Sequence, residues 1–412
     1  MRVVVVGKGG REHALAWKLK ESSLLSDLWV CPGNPGMTLA GLRCAPVETA
    51  EEITEFCIKN NISLVVVGPE SLILSDLKER LAQHDIPCFA PHPQVAKLES
   101  SKIFCKSILD AADIPTAKGA VAQNYEQALS VVNTHDFTQP IVVKADGLAQ
   151  GKGVWVCSSK AHATEAVDAL AEQFGYPLLF EECLIGQELS AFALCDGNDF
   201  VVLGTACDYK RITPDPYSAN TGGMGAYSPC DFISAEDEKA IHNVFSKTLQ
   251  TLSQKKLSYQ GFLFAGLMKT SQGIYVLEFN VRMGDPETQA LLPRLKSDLL
   301  SLIVAAVKHE LKNQKCEVST QTCVHVVAVS QGYPQAKMLL QRPISLPAMN
   351  TLKTQLYFSG VAKQAEDLVN SGGRVLGLTA LAGTKAEARE VAYSDLKRTF
   401  FEGMYYREDI AE

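Results

Sequence analysis

The sequence predicts a multidomain α/β and α+β chain that opens with a doubly wound parallel sheet and closes with a small α+β domain. Three observations carry this expectation. At 412 residues the chain is too long for one compact core. Residues 1–100 alternate short β-branched runs with helical stretches, as βαβ units do. Beyond them the apolar runs follow one another through short, hairpin-like connections, which suit antiparallel strands.

Composition narrows the class. Hydrophobic residues make up 46% and charged residues 21%, a globular balance that excludes a disordered or fibrous chain. Lys and Arg number 39 against 46 Asp and Glu, and a net charge of −7 lacks the basic surface that nucleic acid needs. The 12 cysteines are scattered with no Cys-x-x-Cys pair, so neither a zinc ribbon nor a disulfide framework is expected. Cys157, Cys183 and Cys195 read as small core residues in a reducing compartment. No apolar stretch approaches the roughly 18 residues of a membrane span. The apolar start, residues 3–6, is too short for a signal segment. The expectation is a soluble, cytoplasmic protein with neither nucleic acid nor membrane as partner.

Taken in order, residues 3–6, 28–31 and 64–67 are continuous apolar runs, as strands buried on both faces should be. Between them a helix begins near Arg11, with Ala14, Leu15 and Leu19 inward, and another spans about 51–59. Turn residues follow each strand: Gly7-Lys8-Gly9-Gly10, Pro32-Gly33-Asn34-Pro35-Gly36 and Gly68-Pro69-Glu70. Those are carboxyl ends of strands, where open α/β sheets bind ligands. A first domain is expected over 1–100. A second, 101–315, has strands at 141–144, 154–157, 178–182, 200–206, 262–268 and 274–279, then a helix from Ser297 or Asp298 to Val307. Its residues 115–190 read as a flap subdomain. A third, 316–412, has strands at 324–329, 355–358 and 375–380, then the capping box Thr384-Lys385-Ala386-Glu387 before a helix.

The glycine loops carry the chemistry. Gly7-Lys8-Gly9-Gly10-Arg11-Glu12 fails as a dinucleotide fingerprint, because Glu12 stands where the third glycine belongs and no acidic ribose ligand ends the second strand. It reads equally as an anion site with Arg11 as phosphate clamp or as a glycine turn with an exposed arginine. Gly147 to Gly153 is one residue short of a Walker A loop and lies between two strands. A flap carrying Lys152 opposite a strand carrying Lys144 is another way to hold triphosphate oxygens. Glu278 and Asn280 share one face of a strand and offer a partial oxygen shell for Mg²⁺. Arg282 follows at once, beside charge that would develop in phosphoryl transfer.

These strings identify the chain as similar to the glycinamide ribonucleotide synthetase family of ATP-grasp enzymes. The resemblance rests on Gly9-Gly10-Arg11-Glu12-His13-Ala14-Leu15, Pro32-Gly33-Asn34, Gly68-Pro69-Glu70, residues 98–102 and 144–154, Asp208-Tyr209-Lys210-Arg211, residues 220–229 and 278–289, Gly372-Gly373-Arg374-Val375 and Phe401-Glu402-Gly403-Met404, in family order over nearly the whole chain. It implies a central ATP-grasp fold and an ATP-dependent ligase that joins glycine to 5-phosphoribosylamine in purine synthesis. ATP with Mg²⁺ (or Mn²⁺) is implied as cofactor. So is a monomer, with a transient contact to the upstream amidotransferase left open. By resemblance, Lys102, Lys144, Lys152, Gly151 and Gly153 bind ATP phosphates, Glu181 and Glu182 lie at the adenine, and Glu188 accepts from the ribose. Glu278 and Asn280 hold the metal. Gly9, Gly10, Arg11, Asn34 and Glu70 form the phosphoribosylamine pocket. Asp208, Arg211, Asn220, Gly222, Gly223 and Arg282 line the junction where an acyl phosphate forms, and Lys152 with Arg282 neutralises charge in the first step. His13, on the first turn of its helix, orients the loop.

Two departures stand in the third domain. Gln331-Gly332-Tyr333-Pro334-Gln335-Ala336-Lys337 replaces the family's Gly-Gly-Tyr-Pro-Gly-Asp-Tyr, and Phe358-Ser359-Gly360-Val361 replaces His-Ala-Gly-Thr. Both remove polar groups at turns. Another ATP-grasp carboxylate–amine ligase and an inactive ATP-binding relative remain alternatives to the synthetase.

Overall fold

The four valines at residues 3–6 are each 0% exposed, as a strand covered by helices on both faces requires. They form the middle of Arg2–Gly7 in a computed structural model that describes residues 1–148, 153–215 and 217–412. The sheet around them is wholly parallel: Arg43–Cys44, Asp27–Pro32, Arg2–Gly7, Leu64–Val67, Cys88–Phe89. Strand order reverses between Arg2–Gly7 and Leu64–Val67, so their following loops, at Gly9-Gly10 and Gly68, open the crevice that such sheets use. Helices Gly10–Leu19 and Ala50–Lys59 cover the faces. The second begins at a capping box in which Thr49 Oγ1 accepts from Glu52 N–H at 3.2 Å and Glu52 Oε2 from Thr49 N–H at 3.0 Å.

The middle of the chain is antiparallel. Gln187–Asp196 pairs with Phe200–Asp208 on one side and Gln260–Thr270 on the other, and Gln260–Thr270 pairs with Gly273–Asn280. The sequence reading has no strand at 187–196. Its run of apolar residues with three small side chains shows no polar alternation, because Ala191, Ala193 and Cys195 enter one core while Phe192 and Leu194 enter another. The helix Ala235–Gln254 is also absent from that reading. Ser234 caps it through Asp237 rather than Glu or Gln, with Ser234 Oγ accepting from Asp237 N–H at 3.2 Å.

A separate four-stranded antiparallel sheet, Gly119–Ala122, Leu178–Glu182, Ile141–Ala145, Val154–Cys157, has helices Tyr125–Thr134 and Lys160–Phe174 over its core. The third part does not build its own main sheet. Gly225–Ser228 pairs with Phe200–Asp208 and with Thr322–Ser330, so Thr322–Ser330, Arg374–Ala382, Gln355–Phe358 and Met404–Tyr405, the last paired with Thr322–Ser330, extend the central sheet to nine strands. The expected capping box at Thr384 and Glu387 starts helix Lys385–Leu396 against them. Among the described residues no helix is long and apolar enough to cross a membrane.

Candidate active site

Between Gly273–Asn280 and the four-stranded sheet lies a cleft lined by Lys102, Lys106, Lys144, Glu181, Glu278 and Asn280. Lys102 opens helix Lys102–Ala111, whose cap Ser101 Oγ accepts from Phe104 N–H at 3.0 Å. Its Nζ donates to Gly147 O at 2.9 Å, at the foot of the glycine loop. Burial holds this ammonium below its ordinary pKa, Glu278 opposes the shift and Lys144 adds to it. Lys144 pairs with Glu181, which is 5% exposed and also receives Lys106 at 3.1 Å. Glu181 therefore orients two lysines toward the cleft. Glu182 Oε1 accepts from Lys118 N–H at 2.9 Å, and Glu188 pairs with Lys210. Ala145 N–H donates to Gly153 O at 2.9 Å and closes the base of the flap, while Gly151 and Lys152 lie outside the described residues.

Glu278 and Asn280 project from one face of their strand, with Phe279 buried on the other. Among the described residues Glu278 has neither an ion pair nor a hydrogen bond, and no group of three His, Cys, Asp or Glu could hold a metal. Asn280 Oδ1 accepts one bond, from Arg282 Nη2 at 3.1 Å. One unpaired carboxylate and one amide oxygen fit a hard divalent cation whose remaining ligands are water and phosphate oxygens.

At the crevice the N-terminal loops converge on Glu12, a residue the sequence reading leaves without a role. Glu12 Oε2 accepts from Gly9 N–H at 2.8 Å and Oε1 from Arg11 Nε at 2.6 Å. A Cβ at Gly68 would stand 2.1 Å from Oε1, and one at Gly7 2.4 Å from Cγ. The glycines thus admit a carboxylate, and only the fold brings Gly68 beside Gly7. Arg11 is neither exposed nor free: it is 8% exposed, paired to Glu12, and Nη1 donates to Met283 O at 3.3 Å. Gly10 passes so close to Gln289 Nε2 and Ser359 Oγ that a Cβ would meet them at 2.6 and 2.7 Å. Asn34 caps helix Pro35–Leu39 through Oδ1, and its Nδ2 donates to Lys8 O, Ser359 O and Phe358 O. His13 Nδ1 accepts from Phe358 N–H at 2.9 Å, and burial lowers its pKa to about 3, so the ring is neutral and orients the loop.

Arg282 joins the two regions. Its Nε lies 3.3 Å from Glu70 and its Nη2 2.8 Å from Glu99. Burial raises the Glu70 carboxyl, but Arg282 leads the opposing groups and holds it below its ordinary value. Asp208 has its carboxyl raised by burial, with Lys210 3.9 Å away opposing the shift. Arg211 Nη1 donates to Ser218 O at 2.7 Å and its backbone pairs with Asn220, so it braces its own loop. Gly223, at φ +109°, would place a Cβ 2.3 Å from Pro286. Gly222 N–H donates to Tyr333 OH at 2.8 Å, and Gly222 O accepts from Arg374 Nη1. Arg374 also reaches Asp285, Nη2 to Oδ2 at 3.2 Å, and so ties the third part to the site. The Gly-Gly-Arg string is where the sequence carries that residue.

Three family models match this chain: phosphoribosylglycinamide synthetase N domain over residues 1–99, its ATP-grasp (A) domain over 100–288, and its C domain over 323–412. A phosphoribosylamine–glycine ligase of Caldanaerobacter subterraneus subsp. tengcongensis is 38% identical over 422 residues, spanning 100% of this chain and 99% of its own. That of Rhizobium meliloti is 39% identical over 416 residues, spanning 100% and 98%. The crystal structure of phosphoribosylamine–glycine ligase from Thermotoga maritima superposes with a TM-score of 0.87 at 33% identity, over all of both chains. A biotin carboxylase from Campylobacter jejuni, at 14% identity and TM-score 0.77 over 100% of this chain and 94% of that one, shares the fold. With all three domain models in order and relatives matched end to end, this chain belongs to the phosphoribosylglycinamide synthetase family.

Proposed function

We propose that this chain joins glycine to 5-phosphoribosylamine at the expense of ATP, giving glycinamide ribonucleotide, ADP and phosphate. The observation that carries the reading is the family match along the whole chain. The cleft supports it, since Lys102, Lys144, Glu278 and Asn280 converge there. The glycine carboxylate takes the γ-phosphoryl group, and the phosphoribosylamine nitrogen then attacks the activated acyl carbon and expels phosphate. The first step needs charge neutralisation more than covalent help. Lys102 and Lys144 supply cations beside the phosphate oxygens, with Lys144 aimed by Glu181. Lys152, from the flap, belongs to the same set, as do Gly151 and Gly153.

Mg²⁺, or Mn²⁺ in its place, would be held by Glu278 and Asn280 and would neutralise phosphate charge. Arg282, bound to Glu70 and Glu99, fixes the Asn280 amide and couples the ATP cleft to the crevice. Gly9, Gly10, Asn34 and Glu70 form the phosphoribosylamine side, with Arg11 holding its floor. Asp208, Arg211, Asn220, Gly222 and Gly223 line the junction, Glu182 lies at the adenine, and Glu188 stands near the ribose. Residues 1–100, 101–315 and 316–412 serve as domains, in a cytoplasmic monomer without a nucleic acid or membrane partner. The test is direct: purified protein given ATP, glycine and freshly made phosphoribosylamine should yield glycinamide ribonucleotide by mass. Absence of glycine-dependent product, with ATP bound, would remove the reading.

A further inference from the structure

The guanidinium of Arg282 is fixed along one edge and open along the other. Its Nη1 donates to Met283 O at 3.3 Å and its Nη2 to Asn280 Oδ1 at 3.1 Å. Nη2 also lies 2.8 Å from Glu99 Oε1, while Glu99 Oε2 accepts from Val281 N–H at 2.8 Å. Both oxygens of Glu99 are therefore engaged, and its side chain is 7% exposed. On the open edge, Arg282 Nε is buried and has no hydrogen-bond partner among the described residues. Glu70 faces it, with Oε2 at 3.3 Å but outside hydrogen-bond geometry. Glu70 is the looser carboxylate. Its side chain is 33% exposed, it opens the four-residue helix Glu70–Ile73, and among the described residues no other residue donates to its oxygens.

A buried guanidinium N–H without an acceptor is costly, and the planar fork of arginine suits the oxygens of a carboxylate or phosphoryl group. Glu70 stands where such an anion would meet Nε, and its like charge keeps the anion away. The same carboxylate borders the crevice on the phosphoribosylamine side. On the reading that this chain joins glycine to 5-phosphoribosylamine, one side chain thus faces both halves of the reaction. We propose that Glu70 masks Arg282 in the ligand-free protein and releases it when the sugar engages the Glu70 carboxylate. Glu99 is the positioning residue that keeps the guanidinium in place throughout. Once released, Nε receives an oxygen of the acyl phosphate as it forms. The γ-phosphoryl group then passes from ADP to the glycine carboxylate only when the amine acceptor is bound. Without that order the acyl phosphate would form unaccompanied, and water would return it to glycine and phosphate, spending ATP with no ligation.

The measurement is glycine-dependent ADP release with ATP present and phosphoribosylamine left out. In the unaltered protein this release should be slow beside the complete reaction. Glu70→Gln keeps the side chain's size but removes the masking charge, so its release without phosphoribosylamine should rise about 10-fold or more. A Glu70 that only bound sugar, or only supported the fold, would not raise a rate measured with no sugar present. Adding Glu99→Gln to Glu70→Gln should cancel the gain to within about twofold of the unaltered rate. If Glu70→Gln leaves the release within about twofold of the unaltered rate, Glu70 does not mask Arg282. A double variant that keeps the gain would show that Glu99 does not position the guanidinium. Should either amide variant fail to fold, Glu70→Ala or Glu99→Asp carries the same comparison with the same outcomes. An unaltered protein that makes no glycinamide ribonucleotide with all three substrates instead overturns the proposed function on which this inference rests.

Discussion

Glu181 and Glu278 face one cleft and differ in what holds them. Glu181 is shared by Lys106 and Lys144, and losing it would leave buried ammonium groups unmatched. Glu278 is exposed and has no partner among the described residues, so the fold does not depend on its charge. If it holds a metal between ATP phosphates, Glu278→Gln should abolish most turnover while the melting temperature stays within about 2 °C. A folded Glu278→Gln protein with near-normal activity would end the metal assignment. Glu278 and Asn280 were legible in the sequence because strand alternation places both on one face, and Lys144 because it closes a strand just before the glycine loop. Arg11 was not. Its partner Glu12 is adjacent in sequence, but the glycines that let Glu12 turn inward are Gly7 and Gly68, and sheet topology alone joins those.

At the scale of elements, helix Gly10–Leu19 is tied to strand Gln355–Phe358 through one ring. His13 accepts from Phe358 N–H, meets Tyr357 edge-on at 5.5 Å and stacks on Phe358 at 5.9 Å. His325, on Thr322–Ser330, is similarly enclosed, with Nδ1 2.7 Å from Thr379 Oγ1. Burial lowers both rings to about 3. In the unfolded chain they titrate at about 6.5, so below that pH the unfolded state binds protons that the folded state refuses. Stability is then fully present above about pH 6.5 and declines as pH falls toward 3, approaching about 1.4 kcal/mol per pH unit for each ring. Melting temperatures between pH 7 and 5 should fall, and His13→Asn, which keeps an acceptor for Phe358, should flatten that fall. Equal slopes for both proteins would mean that His13 is not held neutral. None of this coupling shows in the sequence, where His13 and Phe358 stand 345 residues apart. Gln187–Asp196 was hidden for a related reason: a strand with a core on each face has no polar alternation to read.

Across the whole molecule, the nine-stranded sheet makes the third part a wall of the site. Arg374 reaches Gly222 and Asp285, Tyr333 receives Gly222 N–H, and Asn34 donates to the carbonyls of Phe358 and Ser359. The two departures from the family fall differently on this wall. Gln335, Ala336 and Lys337 are exposed, beyond the Tyr333 that still makes its contact. Phe358 is 0% exposed, and its ring lies so close to Gly36 that a Cβ there would come within 2.2 Å of it. Val361, at 6% exposure, follows in the strand Val361–Gln364. Restoring the family residues by Phe358→His and Val361→Thr puts a smaller, polar ring against His13 and a hydroxyl in an apolar position. That should lower stability by about 1–3 kcal/mol. It changes the wall behind Asn34 and Ser359 but touches none of Lys102, Lys144, Glu278 or Asn280. The KM for phosphoribosylamine should therefore move more than kcat, with the KM for ATP steady. Steady-state kinetics on the double variant decide the matter. If the unaltered chain forms no product and the double variant does, the departures are disabling and the chain is an inactive member of its family.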